Sequence, residues 1–378
     1  MNLIQKTKDL EEFCEKLKKE PYITVDLEFL REKTYFAQIC LIQVGSDIEC
    51  AIIDPLAKGI DLSSFFDLMK DKKIVKVFHS CRQDIEILYN ISGFCPYPVF
   101  DTQIAAEVAG FGESVSYETL VNCFCKQELN KSCRFTNWQK RPLDEAQLDY
   151  AIGDVTYLRD IYKILQQNPH IDLIKDKLKS LSNEDDYKPK PEEAWKKIRH
   201  RSHNSGYLTI LRELAKWREI RAIEKDVPRK NVVSDDMLLS IASAIPTTID
   251  ELLEIRNIRK DLAQGKMGQE IINCVKEALN IKSKDYVKLE KNKKTKKGSS
   301  SLIELLKLLL KIKSQELDVT AKLLATEDEL LDFANGHDKG ISFLNGWKKE
   351  VFGNLAIGIR NGDVKIAYNS SNKRVEFH

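Results

Sequence analysis

The sequence predicts an α/β domain built on a mixed sheet, followed by two all-α units. Three observations carry that expectation. Three strand-like runs stand close together near the start, alternating helical and strand-like segments come next, and beyond about residue 194 the apolar spacing is helical throughout.

The opening residues, MNLIQKTKDLEEFCEKL, read as an amphipathic helix. PYITVDLEF, TYFAQICLIQV and ECAIIDP then read as strands, separated by charged residues or by Gly45–Ser46–Asp47, a turn signal. A helical stretch (DLSSFFDLMK) precedes a short apolar strand, KIVKVFHS, and CRQDIEILYN returns to helical spacing with Ile85 and Leu88 on one face. A short PVFDT segment leads through further helical pieces to a long helix near 143–167. These elements make up a first domain over 1–181. At 182–202 apolar residues thin out and prolines appear, the composition of a linker or surface excursion. A helical unit over 203–281 follows, with Ser234 or Asp235 and Thr247 or Thr248 as candidate N-caps. A lysine-dense linker over 282–299 separates it from a third helical unit, 300–378, which could be a degenerate repeat of the second.

Composition narrows the class. The chain has 378 residues, 42% hydrophobic and 31% charged, and its net charge is only +2. Overall charge therefore gives no reason to expect nucleic acid; only local patches could. The nine cysteines include no CxxC pair, as expected of reduced thiols in a cytoplasmic protein. The N-terminus lacks the basic-then-apolar layout of a signal peptide. The most apolar stretch, LIELLKLLLKI, is interrupted by lysines and is too short to cross a bilayer. No membrane role is expected, and no obligate protein partner is evident.

The strand ITVDLEFL poses a chemical problem. Side chains two apart on a strand share a face, so Asp26 and Glu28 project together while Val25, Leu27 and Phe29 point the other way. Two neighbouring carboxylates repel unless a cation sits between them, and hard oxygen ligands suit Mg²⁺ or Mn²⁺. An exposed edge strand carrying two solvated acids explains that pair equally well. Asp84 lies in the first turn of the helix after KIVKVFHS, where an acid also complements the helix dipole. Asp154 follows Tyr150 by four residues, so phenol and carboxylate share one helix face.

D-x-E on a first strand, D opening a mid-domain helix and Y-x-x-x-D on a late helix together resemble the DEDD superfamily of 3′→5′ exonucleases, tyrosine subclass. VDLEFLREKTYFAQICLIQV, VFHSCRQDIEIL, FDTQIAAEVAGF and NWQKRPLDEAQLDYAIGDVTYL narrow the resemblance to the ribonuclease D family. The helical units resemble the helicase-and-RNase-D C-terminal (HRDC) domain, the second more divergently. This resemblance implies a ribonuclease H-like mixed sheet with flanking helices, followed by two HRDC-like domains. It also implies that Asp26, Glu28, Asp84 and Asp154 hold two divalent ions and that Tyr150 orients the attacking water. Two ions roughly 4 Å apart stabilise both the attacking and the leaving oxygen of an in-line phosphoryl displacement. Tyrosine, with an ordinary pKa near 10, is a poor general base at neutral pH. Leu27 departs from the family, which usually has a small polar residue between the acids, but by strand alternation it points away from them.

The implied activity is metal-dependent 3′→5′ hydrolysis of RNA to nucleoside 5′-monophosphates. The implied partners are tRNA precursors and other small structured RNAs with single-stranded 3′ tails. The residues alone do not separate this from a DNA exonuclease or a non-catalytic RNA-binding scaffold. His79 and Gln83 could touch the terminal nucleotide, and His79 could equally be a satisfied core histidine. Phe29 could flank the last base or belong to the core. Lys131, Trp138 and Arg141 could reach phosphates or serve structural ends. Asp101, opening FDTQIAAE, reads as an N-cap rather than a ligand. Eight lysines lie within residues 282–297, which reads as a solvated linker or as salt-sensitive RNA affinity.

Overall fold

The computed structural model describes residues 2–129, 133, 136–202, 204–288 and 299–378. A six-stranded mixed sheet organises the first domain, in the order β1-β4-β3-β2-β5-β6. Its strands are β1 (Leu3–Ile4), β2 (Tyr22–Leu30), β3 (Gln38–Gly45), β4 (Cys50–Ile53), β5 (Val75–Phe78) and β6 (Val99–Asp101). β2 runs antiparallel to β3 and parallel to β5, so it lies at the sheet centre, where one face meets each helical layer. The opening residues are not all helix: Leu3 and Ile4 pair in parallel with Ile52 and Ile53 before helix α1 (Thr7–Leu17) begins. Ile4 is buried, so a two-residue edge contact outweighs the helical spacing that surrounds it.

Alternation along β2 sets the two faces. Ile23, Val25 and Leu27 pack with α1, α2 (Ser63–Lys70) and α3 (Arg82–Ser92) in one buried apolar layer. The opposite face is covered by the long helix α6 (Glu145–Leu165), which follows the short helices α4 (Thr102–Glu107) and α5 (Tyr117–Leu120). A full capping box at Asp144 and Gln147 fixes where α6 starts, and therefore which turn lies over β2. Leu27, buried at 4% exposure, lies in the apolar layer away from the acids, as alternation required.

The segment expected to be a linker is a packed strap. Its short 3₁₀ turns bury Tyr187 against the first domain and Ala194 and Ile198 against the helical unit that follows. A handful of apolar residues in a polar stretch suffices when each meets a core. The helical unit runs from Ser205–Glu224 to Lys266–Leu279, with Ser234 and Thr248 as the N-caps that close its inner helices. The last unit is helical from Ser299 to Asn361 but does not end so: Ile366–Asn369 and Arg374–Phe377 form an antiparallel hairpin. Strand alternation in these short, weakly apolar runs was too faint to register. Its core, including Leu309, Phe333, Phe343 and Phe352, is continuous with Phe100, Val108 and Leu158 of the first domain. The last unit is thus packed onto the α/β domain across the chain's full length. All nine cysteines are free, and among the described residues no helix is long and apolar enough to cross a membrane.

Candidate active site

Three of the acids come together. Asp26 and Glu28 on β2 and Asp154 on α6 offer carboxylate oxygens that all lie within 4.8 Å of one another. Two close contacts bring α6 down onto β2 to make this possible. The Thr24 hydroxyl, one alternation before Asp26 on the same face, donates to the Val155 carbonyl at 2.9 Å. Gly45, opposite Thr24 on β3, keeps that approach open: a Cβ there would stand 2.7 Å from the Thr24 hydroxyl and 3.4 Å from Val155 Cβ. Gly45 thus serves close packing as well as the turn that its sequence suggested.

Asp84 is buried in the first turn of α3. It stands outside that mutual trio, yet its charge is felt by Glu28 and it feels Asp26. The β5–α3 turn that sets it there is held by Asp101, whose carboxylate accepts from Ser80 N at 3.0 Å and Cys81 N at 2.9 Å. Ser80 has φ of 59°, a conformation that needs such support. Asp101 also accepts from Gln103 N at 2.8 Å and so caps α4, matching its reading from the sequence.

The electrostatics follow from crowding acids in a dry place. Burial, offset in part by the Leu27 amide, raises the Asp26 carboxyl to about 7. Burial and then the charges of Asp26, Asp154 and Asp84 raise Glu28 to about 10. Burial first and Asp26 second push Asp154 well above the carboxylate range; burial, Asp26 and Asp101 do the same to Asp84. A set of hard oxygen donors this close, with its protons held this tightly, fits a divalent cation of the Mg²⁺ or Mn²⁺ type, which would replace those protons.

The trio opens into a cleft of about 460 Å³ that Tyr150, His79 and Tyr117 also line. Tyr150 packs its ring 5.9 Å from that of Trp138. Trp138 is buried at 2% exposure, so it backs Tyr150 rather than reaching for phosphates. His79 Nε2 pairs with the Val115 carbonyl at 3.2 Å and Nδ1 with the Thr102 hydroxyl at 3.0 Å. Burial lowers its pKa, in keeping with a neutral ring. His79 is therefore held by Val115 and Thr102 while it lines the cleft.

The remaining expectations divide. Arg141 is committed elsewhere: its guanidinium bridges Asp54, at 2.6 and 2.8 Å, and donates to the carbonyls of Cys40 and Trp138. A buried acid needs that cation, so Arg141 is a structural tie and not a phosphate contact. Gln83 is exposed on α3 and does not line the cleft. Phe29 packs half-buried against the α1–α3 layer, just after a register shift between Glu28 and Phe29. Lys131, and the lysine run from 289 onward, lie outside the described residues.

Sequence reasoning missed three participants. Thr24 was findable, since it continues the Asp26–Glu28 alternation by one step. Gln103, whose amide donates to the Val115 carbonyl at 3.0 Å, and Tyr117, whose hydroxyl donates to the Gly153 carbonyl at 3.0 Å beside Asp154, gave no local signal. Only the tertiary fold brings them to the cleft.

Comparison with known proteins finds relatives along nearly the whole chain. A family described as 3′-5′ exonuclease matches residues 1–168, and the HRDC domain family matches residues 208–275. Ribonuclease D of Jannaschia sp. (strain CCS1) is 40% identical over 372 residues, covering 96% of each chain. Ribonuclease D of Bartonella henselae is 40% identical over 380 residues, covering 99% of this chain and 93% of its own. Among solved structures, Escherichia coli RNase D, an exoribonuclease involved in structured RNA processing, superposes with a TM-score of 0.80 at 27% identity. It covers 96% of this chain and 99% of that one.

Proposed function

This chain belongs to the ribonuclease D family and is an exoribonuclease, and from that premise we propose that it removes nucleotides one at a time from single-stranded 3′ ends as nucleoside 5′-monophosphates. The substrates in this reading are tRNA precursors and other small RNAs, handled in the cytoplasm. The observation that carries it is the carboxylate trio of Asp26, Glu28 and Asp154 at the floor of a cleft in the 3′-5′ exonuclease domain.

Two divalent ions held by Asp26, Glu28, Asp154 and Asp84 would supply an activated water and neutralise the oxygen that leaves. The chain's own residues do the rest. Tyr150, on the same helix face as Asp154, orients the water toward phosphorus through its phenol. Water oxygen bonds to phosphorus, the bond from phosphorus to the upstream 3′ oxygen breaks, and that oxygen takes up a proton. The shortened RNA keeps a 3′ hydroxyl, and the released nucleotide keeps the phosphate on its 5′ carbon. His79, Gln103 and Tyr117 form a neutral polar wall, suited to a sugar edge more than to a charged group.

End-labelled RNA and DNA of the same sequence, incubated with Mg²⁺ or Mn²⁺ and then with chelator, test this. Expected are a ladder from the 3′ end of RNA, 5′-monophosphate products, loss with chelator, and loss with Asp26→Ala while RNA binding persists. Equal or faster trimming of DNA would move the activity to a DNA exonuclease. Retained turnover in Asp26→Ala would remove the metal assignment.

A further inference from the structure

The described side chains of the catalytic cleft offer a polyanion no cation of their own. Its described lining contains the acids Asp26, Glu28, Glu118 and Asp154 and neither lysine nor arginine. A second depression, beside Tyr150, adds Glu128 and Asp149. Divalent ions on these acids would serve the phosphate being cleaved, which leaves the phosphates upstream of it to cationic surface outside the cleft.

Such a surface lies just past the C-terminal end of β2. Three residues beyond Glu28, about 10 Å along the strand, Arg31 enters the loop that meets the first helical unit. There a cavity of about 690 Å³, larger than the catalytic cleft, is lined by five basic residues, Arg31, Lys33, Lys197, Arg229 and Lys230, against two acids, Glu32 and Glu86. With Glu219, the partner of Arg229, counted among the acids, five positive charges face three negative ones. Arg31 pairs with Glu86 and Arg229 with Glu219. Lys33, Lys197 and Lys230 are exposed, and among the described residues none has a carboxylate within ion-pair distance.

The cavity is built, not incidental. The Asp226 carboxylate accepts from both Tyr35 N and Phe36 N at 3.0 Å. The Tyr35 hydroxyl donates to Glu219 at 2.5 Å, and the Arg229 guanidinium lies 5.0 Å over the Tyr35 ring. These contacts fix the loop from the metal-bearing strand against the helical unit, so the lysines on both sides keep their spacing. A smaller cavity of about 250 Å³ shares Lys33 and Thr34 with it and reaches Leu30, which packs in one apolar cluster with Tyr150.

We infer that this junction cavity binds backbone phosphates of the RNA a few nucleotides 5′ of the terminal one, an inference that rests on the exoribonuclease reading above. Lysine ammonium groups act on phosphates as point charges and are indifferent to sequence, which suits an enzyme that must translocate after each cleavage. The junction then grips the strand while the acidic cleft holds its last nucleotide.

The test replaces Lys33, Lys197 and Lys230 together by glutamine in the full chain, with unchanged thermal unfolding as the check on folding. Turnover is measured on a trinucleotide, too short to reach the junction, and on a hairpin RNA with a long 3′ tail, each over a range of salt. Expected on the tailed RNA are about a tenfold loss in kcat/KM at low salt, residing in KM, and a salt slope shallower by about 2, as for three lost phosphate contacts. The trinucleotide is expected to be cleaved as by the unaltered protein. Equal losses on both substrates, or no loss on the tailed RNA, would overturn the inference. Failure of the unaltered protein on both substrates would instead overturn the exoribonuclease reading on which it rests.

Discussion

Asp26 on β2 stands directly opposite Gln43 on β3, and paired residues of antiparallel strands share a face. Gln43 is wholly buried, and among the described residues neither its amide oxygen nor its amide nitrogen has a hydrogen-bond partner. A buried amide left unsatisfied costs about 1–3 kcal/mol, so its place beside a metal-site carboxylate exchanges stability for a polar neighbour. Gln43→Met, which keeps the length without the amide, is expected to raise metal-free stability by about 1–2 kcal/mol and to lower turnover. Denaturant unfolding and single-turnover rates check this; a loss of stability would mean that the amide is satisfied in solution.

The raised carboxyls link stability to pH. Asp26 titrates near 3.8 as an ordinary side chain and at about 7 in the fold, because burial disfavours its charge. The folded state thus holds a proton that the unfolded chain gives up, and metal-free stability falls as pH rises from about 4 to about 7. A divalent ion replaces that proton, so metal affinity rises across the same window. Melting temperatures with and without Mn²⁺ should diverge with increasing pH. A metal-induced shift independent of pH would contradict the linkage.

Tyr150 lines the cleft without being one of the trio. In the proposed mechanism its phenol would contribute orientation, worth about as much as a hydrogen bond to a charged group. Tyr150→Phe is therefore expected to slow turnover about ten- to hundredfold with KM little changed. Complete loss would assign the phenol a larger part in the chemistry, and an unaltered rate would remove it from the site.

Gly45→Ala places a methyl group 2.7 Å from the Thr24 hydroxyl and 3.1 Å from Cys50 Sγ. The Thr24 hydroxyl must give way, loosening the contact through which Thr24 holds α6. The expected cost is about 1–3 kcal/mol of stability, with a fall in metal affinity because Asp154 rides on α6. Thermal unfolding and metal titration measure the two effects separately.

Much of this site was legible in one dimension. The Asp26–Glu28 pair follows from strand alternation, and the Tyr150–Asp154 pair from helical spacing. The Asp101 cap follows from its place before a helix. Each depends only on neighbours in the chain, whose geometry is fixed by backbone periods. Arg141 and Trp138 were not legible in the same way. A basic residue in a polar loop resembles a phosphate contact until the buried acid that claims it, Asp54, is found far away in sequence.

By itself the sequence determined the order of the elements, the α/β domain ahead of helical units, and the residue types able to hold a divalent ion. Local periodicity and hydrogen-bonding rules suffice for those. Only the tertiary structure decided that Asp154 comes within reach of Asp26 and Glu28, through Thr24 and Gly45 at the β2–α6 contact. It alone decided that the last unit shares its core with the first domain, and that lysines from distant segments meet at one cavity. These depend on burial and on charges brought together by chain closure, which no local pattern records.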